Sequence, residues 1–150
     1  MAVLLGGCPT REDFLLVPDV HGASGACSGT PEVFTLAFDV TWANGDRADP
    51  VEVIVGAQVD VETADDGQIV AGRVLMESDG SFDGSLGRGE DVTAHYTAEL
   101  EDPDSFDCAD VCAEDMRLRV LYGIVRAESP TPPVANTETK SDSFAMVCGG

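Results

Sequence analysis

Basic residues are scarce in this chain. Its 150 residues hold 8 Lys and Arg against 28 Asp and Glu, a formal net charge of −20, and Lys140 is the single lysine. A surface of that sign repels phosphates, which argues against nucleic acid and anionic lipid headgroups as partners. The same balance keeps a protein soluble in concentrated salt, a trait of salt-adapted sources and equally of ordinary acidic proteins. Histidine is rarer still, with only His21 and His95. No serine sits in a nucleophile-elbow setting, and no glycine-rich loop precedes a helix to cradle a phosphate. Carboxylates lie close together everywhere, so their pairing selects nothing. No catalytic residue is therefore assigned. Also missing are an apolar run long enough to span a bilayer and the period of an amphipathic helix.

What the chain has instead is alternation. In Val33–Trp42 every second residue is large and apolar: Phe34, Leu36, Phe38, Val40 and Trp42. Successive side chains of a strand point to opposite faces, so this stripe needs a second sheet to cover it. The same period marks Val51 to Val61, Val92 to Leu100 and Met116 to Val125. It sends Val59, Tyr96, Leu118 and Tyr122 inward and Asp60, Glu62, His95 and Arg117 to water. Trp42 and Tyr122 lie within apolar stripes and read as core. Asp13 to Val20 reads as an edge strand stopped by Pro18, and His21 to Pro31 as a loop. Ile69 to Met76 and Ser143 to Cys148 complete the set. Asn44-Gly45-Asp46 and Ala64-Asp65-Asp66-Gly67 are turns. Glu77 to Glu90, Glu101 to Asp115 and the Pro/Thr-rich Ser129 to Lys140 are connectors. About seven strands with regularly spaced turns predict an all-β fold, a two-sheet antiparallel β-sandwich.

Leu5-Gly6-Gly7-Cys8 resembles the lipobox of bacterial lipoproteins, in which the cysteine is lipidated after cleavage. The basic n-region and most of the apolar h-region of such a signal are missing, and a start codon further upstream would supply them. The competing reading takes Val3 to Leu5 as a short first strand. With Cys8 lipidated, Cys27, Cys108, Cys112 and Cys148 remain, an even number suited to an oxidising compartment. Of the three pairings possible, Cys108–Cys112 with Cys27–Cys148 is expected. The long second loop would remove about 4–5 kcal/mol of unfolded-state entropy. A zinc site from Cys108, Cys112 and His95 is the rival, at a spacing off the usual pattern.

One loop has metal-ligand spacing. Asp79, Ser81 and Asp83 fall at positions one, three and five, Gly84 at six, Ser85 at seven, Leu86 at eight and Glu90 at twelve. That is the order of an EF-hand calcium loop, in which alternating oxygens wrap one ion. Its flanks have strand rather than helix period, so a solvated connector is the alternative. The acidic run Glu101, Asp102, Asp104, Asp107, Asp110, Glu114 and Asp115 reads as a solvated face.

Val40-Thr-Trp-Ala-Asn-Gly-Asp, Pro50-Val-Glu-Val, Leu86-Gly-Arg-Gly-Glu-Asp-Val-Thr and the Met116–Val125 strand together resemble immunoglobulin-like modules of bacterial surface proteins. The cell-adhesion-related domain of bacteria is the nearest pattern. Its members place an Asn-Gly turn after the first long strand and a Gly-Glu corner before a late one. The resemblance covers residues 33–126, and the loops at 77–90 and 101–115 are longer than the family shows. It implies an immunoglobulin-like antiparallel β-sandwich. The resulting expectation is a lipobox-like segment and tether over 1–12 and one domain over 13–150. It would be an exported, non-enzymatic protein of the cell envelope, on the outer surface or in the periplasm. It would touch the membrane only through its anchor, bind other envelope or extracellular proteins or itself, and need no cofactor. A calcium-dependent adhesion module using the Asp79–Glu90 loop is the alternative. A small carbohydrate-active hydrolase using loop carboxylates is a third.

Overall fold

A computed structural model describes residues 15–29, 33–48, 50–75, 77–80, 82–100, 108–126 and 137–149. Its strands are β1 (Leu16–Ser28), β2 (Val33–Asn44), β3 (Val51–Thr63), β4 (Ile69–Leu75), β5 (Glu77–Ser78), β6 (Asp91–Leu100), β7 (Met116–Arg126), β8 (Thr137–Lys140) and β9 (Val147–Gly149). One helical turn, α1 (Cys108–Val111), lies between β6 and β7. The strands form a five-stranded sheet, β5-β6-β2-β1-β9, and a four-stranded sheet, β4-β3-β7-β8. Neighbours are antiparallel except β1 and β9, which run parallel. The two sheets pack face to face as an all-β sandwich. Among the described residues no helix is long and apolar enough to cross a membrane.

The β2 stripe forms the centre of the interior. Phe34, Leu36, Phe38, Val40 and Trp42 are each at most 2% exposed. Burying a side chain of this size contributes about 1.5–3 kcal/mol. Opposite them stand Val59 and Val61 of β3 and Leu118, Val120 and Tyr122 of β7. Trp42 joins the two layers. Its ring meets Tyr122 edge-on at 5.1 Å between centroids. Its Nε1 donates to the Tyr96 hydroxyl at 3.0 Å, so the buried indole N–H is satisfied. Tyr96 in turn stacks on Phe38 at 5.6 Å. Burial pushes the Tyr96 and Tyr122 phenols above their ordinary values.

Several sequence expectations change here. β1 does not stop at Pro18 but runs through it to Ser28, absorbing most of the expected loop. β9 pairs only with Ala26–Ser28, so at Pro18 no described strand lies on that side of β1 and a missing N–H is tolerated. At Gly22 and Ala23, β1 bulges, with two residues facing one of β2, and Gly22 takes a positive φ of 63°. The Ser129–Lys140 connector ends in a strand, β8, and the Glu101–Asp115 loop contains α1. The last expected strand divides into a bridge at Phe144 and the short β9.

The disulfide pairing also differs. Cys27 bonds Cys108, and Cys112 bonds Cys148, with Cα–Cα distances of 5.5 and 6.2 Å. No Cys108–Cys112 pinch forms, because the intervening residues wind into a turn in which the Cys112 amide donates to the Cys108 carbonyl at 2.9 Å. Cys27 and Cys148 are register neighbours on β1 and β9, yet each reaches for α1 instead. The turn thus staples both strands from one side. Closing loops of 81 and 36 residues removes about 4–5 and about 4 kcal/mol of unfolded-state entropy in the simple model. With all four sulfurs bonded, the rival zinc set of Cys108, Cys112 and His95 has no thiolate to offer.

Asp60 and Glu62 do lie on the outer face of their sheet, but they are not solvated: they are 3% and 2% exposed. β7 and β8 lay cations over them. Arg117 donates to Glu62 Oε1 from Nη2 at 2.7 Å and Nε at 2.9 Å, and Lys140 sits 3.0 Å from the same oxygen. Arg119 lies 3.9 Å from Asp60 and bonds Glu138. Burial raises the Glu62 carboxyl, and the hydrogen bonds from Lys140 and Arg117 outweigh it, holding the group below its ordinary value. Three of the eight basic residues are spent on this ladder.

Two outcomes are expected. Cleavage before Asp110 and after arginines, without reduction, should link the Cys27 peptide to the Cys108 half and the Cys148 peptide to the Cys112 half. A separate Cys27–Cys148 pair would contradict this fold. Arg117→Ala leaves a buried carboxylate short of a partner and should cost about 1–3 kcal/mol in urea unfolding at pH 7. Because the Glu62 value is depressed on folding, its contribution is present above 4.5. It fades as pH falls through the lowered value, and the variant's deficit should shrink with it.

Candidate functional site

The inner faces are consumed by the core, and the outer face of the five-stranded sheet carries ordered rows of small and polar side chains. Register sets it out in rows across three strands. Asp19, Thr41 and Thr93 form one row, and His21, Asp39 and His95 the next. Ser24, Ala37 and Thr97 follow, and Ala26, Thr35 and Glu99 form the last. The period of two on β2 and β6 generates two of every three of these placements directly. The β1 column holds its outward course past the bulge.

The second row brings together the chain's two histidines around one aspartate. His95 Nδ1 pairs with Asp39 Oδ1 across the β2–β6 boundary. His21 Nε2 bonds Thr41 Oγ1 at 2.9 Å, and Thr41 Oγ1 lies 2.8 Å from Thr93 Oγ1. The Asp79 amide donates to the His95 carbonyl at 3.1 Å, and so ties the strand β5 end to β6. Gly22 leaves room for Asp39: a Cβ there would meet Oδ2 at 3.2 Å. The hydrogen bond to Asp39, aided by the charges of Asp39 and Asp79, raises the His95 pKa above 6.5. His95 faces outward as its sequence period predicts, whereas His21 is on a strand, not in a loop. A hollow of about 210 Å³ lies beside this row, between the bulge and Ser141–Phe144.

The third and fourth rows are built from small residues apart from Glu99. They form the floor of an open groove of about 600 Å³ that crosses the sheet from Val147 of β9 to Glu77 of β5. Ala26, Thr35, Ala37 and Thr97 give it its depth, since none reaches far above the backbone. Glu77 is in register with Thr97, and Glu99 lies two residues along from Thr97 on the same face. Two carboxylates therefore stand together at the β5–β6 end, and the other end has Val147, 70% exposed.

The EF-hand-like loop is arranged differently from a calcium loop. Its flanks are β5 and β6, not helices. Asp83 Oδ1 accepts the Ser85 amide at 2.9 Å and the Ser85 hydroxyl at 2.7 Å. These bonds hold the Asp83 carboxyl below its ordinary value. Glu90 Oε1 accepts the Gly87 amide, and Leu86 is buried in a two-residue bridge to Val51. Ser81 lies outside the described residues, as do Cys8 and the 1–12 segment. Among the described residues no three His, Cys, Asp or Glu side chains are grouped to hold a metal ion.

The Asp39–His95 contact has a measurable sign. His95 should titrate above 6.5 by NMR, and Asp39→Asn should bring it back to about the unperturbed value. A raised folded value means the contact stabilises below 6.5 and is lost as pH rises through the folded value.

Set against known protein families, curated proteins and solved structures, the chain matches none of them.

Proposed function

We propose that the chain is an exported, non-enzymatic module of the cell envelope, anchored through Cys8, that binds other envelope or extracellular proteins. Its working surface is the outer face of the five-stranded sheet. The two disulfides carry this reading. Cys27, Cys108–Cys112 and Cys148 are far apart in sequence and are bonded around one turn. Bonds of this kind persist in oxidising compartments and are reduced in the cytosol. The immunoglobulin-like resemblance favours the same class, since sandwiches of this kind present faces, edges and loops to partners. Among the described residues the face is row-patterned and free of large apolar side chains over its middle. It suits a reversible partner better than a permanent one.

Expression with and without an export signal tests the compartment. The exported protein should carry no free thiol among Cys27, Cys108, Cys112 and Cys148. The cytosolic, reduced form should melt lower by on the order of 10 °C. Equal stability of the two forms would remove the argument. Incorporation of a labelled fatty acid that disappears in Cys8→Ser tests the anchor.

A further inference from the structure

The groove allows the partner's chemistry to be specified, resting on the reading of the chain as a binding module. We infer that it takes an extended peptide of about six residues with a basic side chain at one end and a small apolar side chain at the other. Length comes from the sheet. The groove crosses β9, β1, β2, β6 and β5. Four inter-strand steps of about 4.8 Å make about 19 Å, the reach of about six extended residues. Width comes from its floor. That floor covers the two rows that hold Ala26, Thr35, Ala37 and Thr97, about 7 Å apart along the strands, and longer side chains there would fill the trough.

Polarity comes from the two ends. Glu77 and Glu99 are exposed on neighbouring strands, flanking Thr97, with no basic residue lining the groove among the described residues. A guanidinium or ammonium between them gains two attractive partners and relieves their mutual repulsion. Val147 at the opposite end offers the apolar contact. The chain's charge of −20 acts in the same direction. It steers a cationic segment toward the face and repels an acidic one. A nucleic acid or an anionic lipid is disfavoured by the same sign.

The test uses the full oxidised chain and a panel of end-blocked hexapeptides of Ala, Ser, Thr and Val, carrying Arg, Glu or neither at one end. Binding is read from amide shifts in NMR. The Arg peptides should perturb Ala26, Ala37, Thr97 and Glu99 selectively, and bind best with Val at the far end. Glu77→Gln with Glu99→Gln should weaken the Arg peptides about threefold to tenfold and leave the uncharged ones unchanged. Ala37→Leu, an exposed position, should fill the trough and abolish both. The inference is overturned if no panel member shifts the groove amides at millimolar concentration. It is equally overturned if Glu peptides bind as well as Arg peptides, or if the shifts lie elsewhere on the molecule. A protein partner still held by Ala37→Leu would sink the groove while leaving the binding-module reading intact.

Discussion

Five large side chains on one face of a single strand cannot be left in water, and the architecture follows from covering them. β2 sits in the middle of its sheet, flanked on both sides. Only a second sheet can close over its stripe. Trp42 then decides how the layers meet, because its ring touches β7 while its N–H is held by β6. The indole is a large body with one polar atom, so it packs in a single orientation rather than sliding. Aliphatic neighbours such as Val40 and Val59 fill the remaining space without that directional demand.

The outward faces are handled in two ways. On the four-stranded sheet, acidic residues are shielded by arginines and the lysine, which lie flat over Asp60 and Glu62. On the five-stranded sheet, no described residue lays such a cover over the groove, and Glu77 and Glu99 remain exposed. A chain with so few cations commits three of them to one side. The other side keeps an unneutralised field. The two outer faces therefore differ in how far their described carboxylates are paired.

How much of this could be read beforehand depended on whether a property was local. The β2, β6 and β7 strands announce themselves because each alternates without interruption. β1 does not: Pro18, Gly22 and Gly25 interrupt its pattern, and its bulge shifts the phase halfway along. β8 hides within a proline-rich connector, and its pairing with β7 is what makes it a strand. The cysteine pairing was out of reach, since spacing alone cannot say that residues 108–112 coil into a turn between two strands. The burial of Asp60 and Glu62 was equally hidden, because a period of two assigns a face but not what covers it. The His21–Asp39–His95 row and the groove are products of register between three strands, which no single stretch contains.

The bulge at Gly22 and Ala23 has a consequence for the chain's tolerance of change. His21 and Cys27 are six residues apart, an even interval, which in an unbroken strand would aim both the same way. Here His21 looks out and Cys27 is 1% exposed in the interior. The extra residue inverts the parity between them. Loss of one residue at this point would only straighten the strand: Ser24 would stay opposite Ala37, and the Cys27 sulfur would still turn inward to Cys108. Loss of one residue between Ser24 and Cys27 would instead reverse the facing of Cys27 and leave Cys108 without its mate. The kink is therefore the place where β1 can shorten without unmaking a covalent bond.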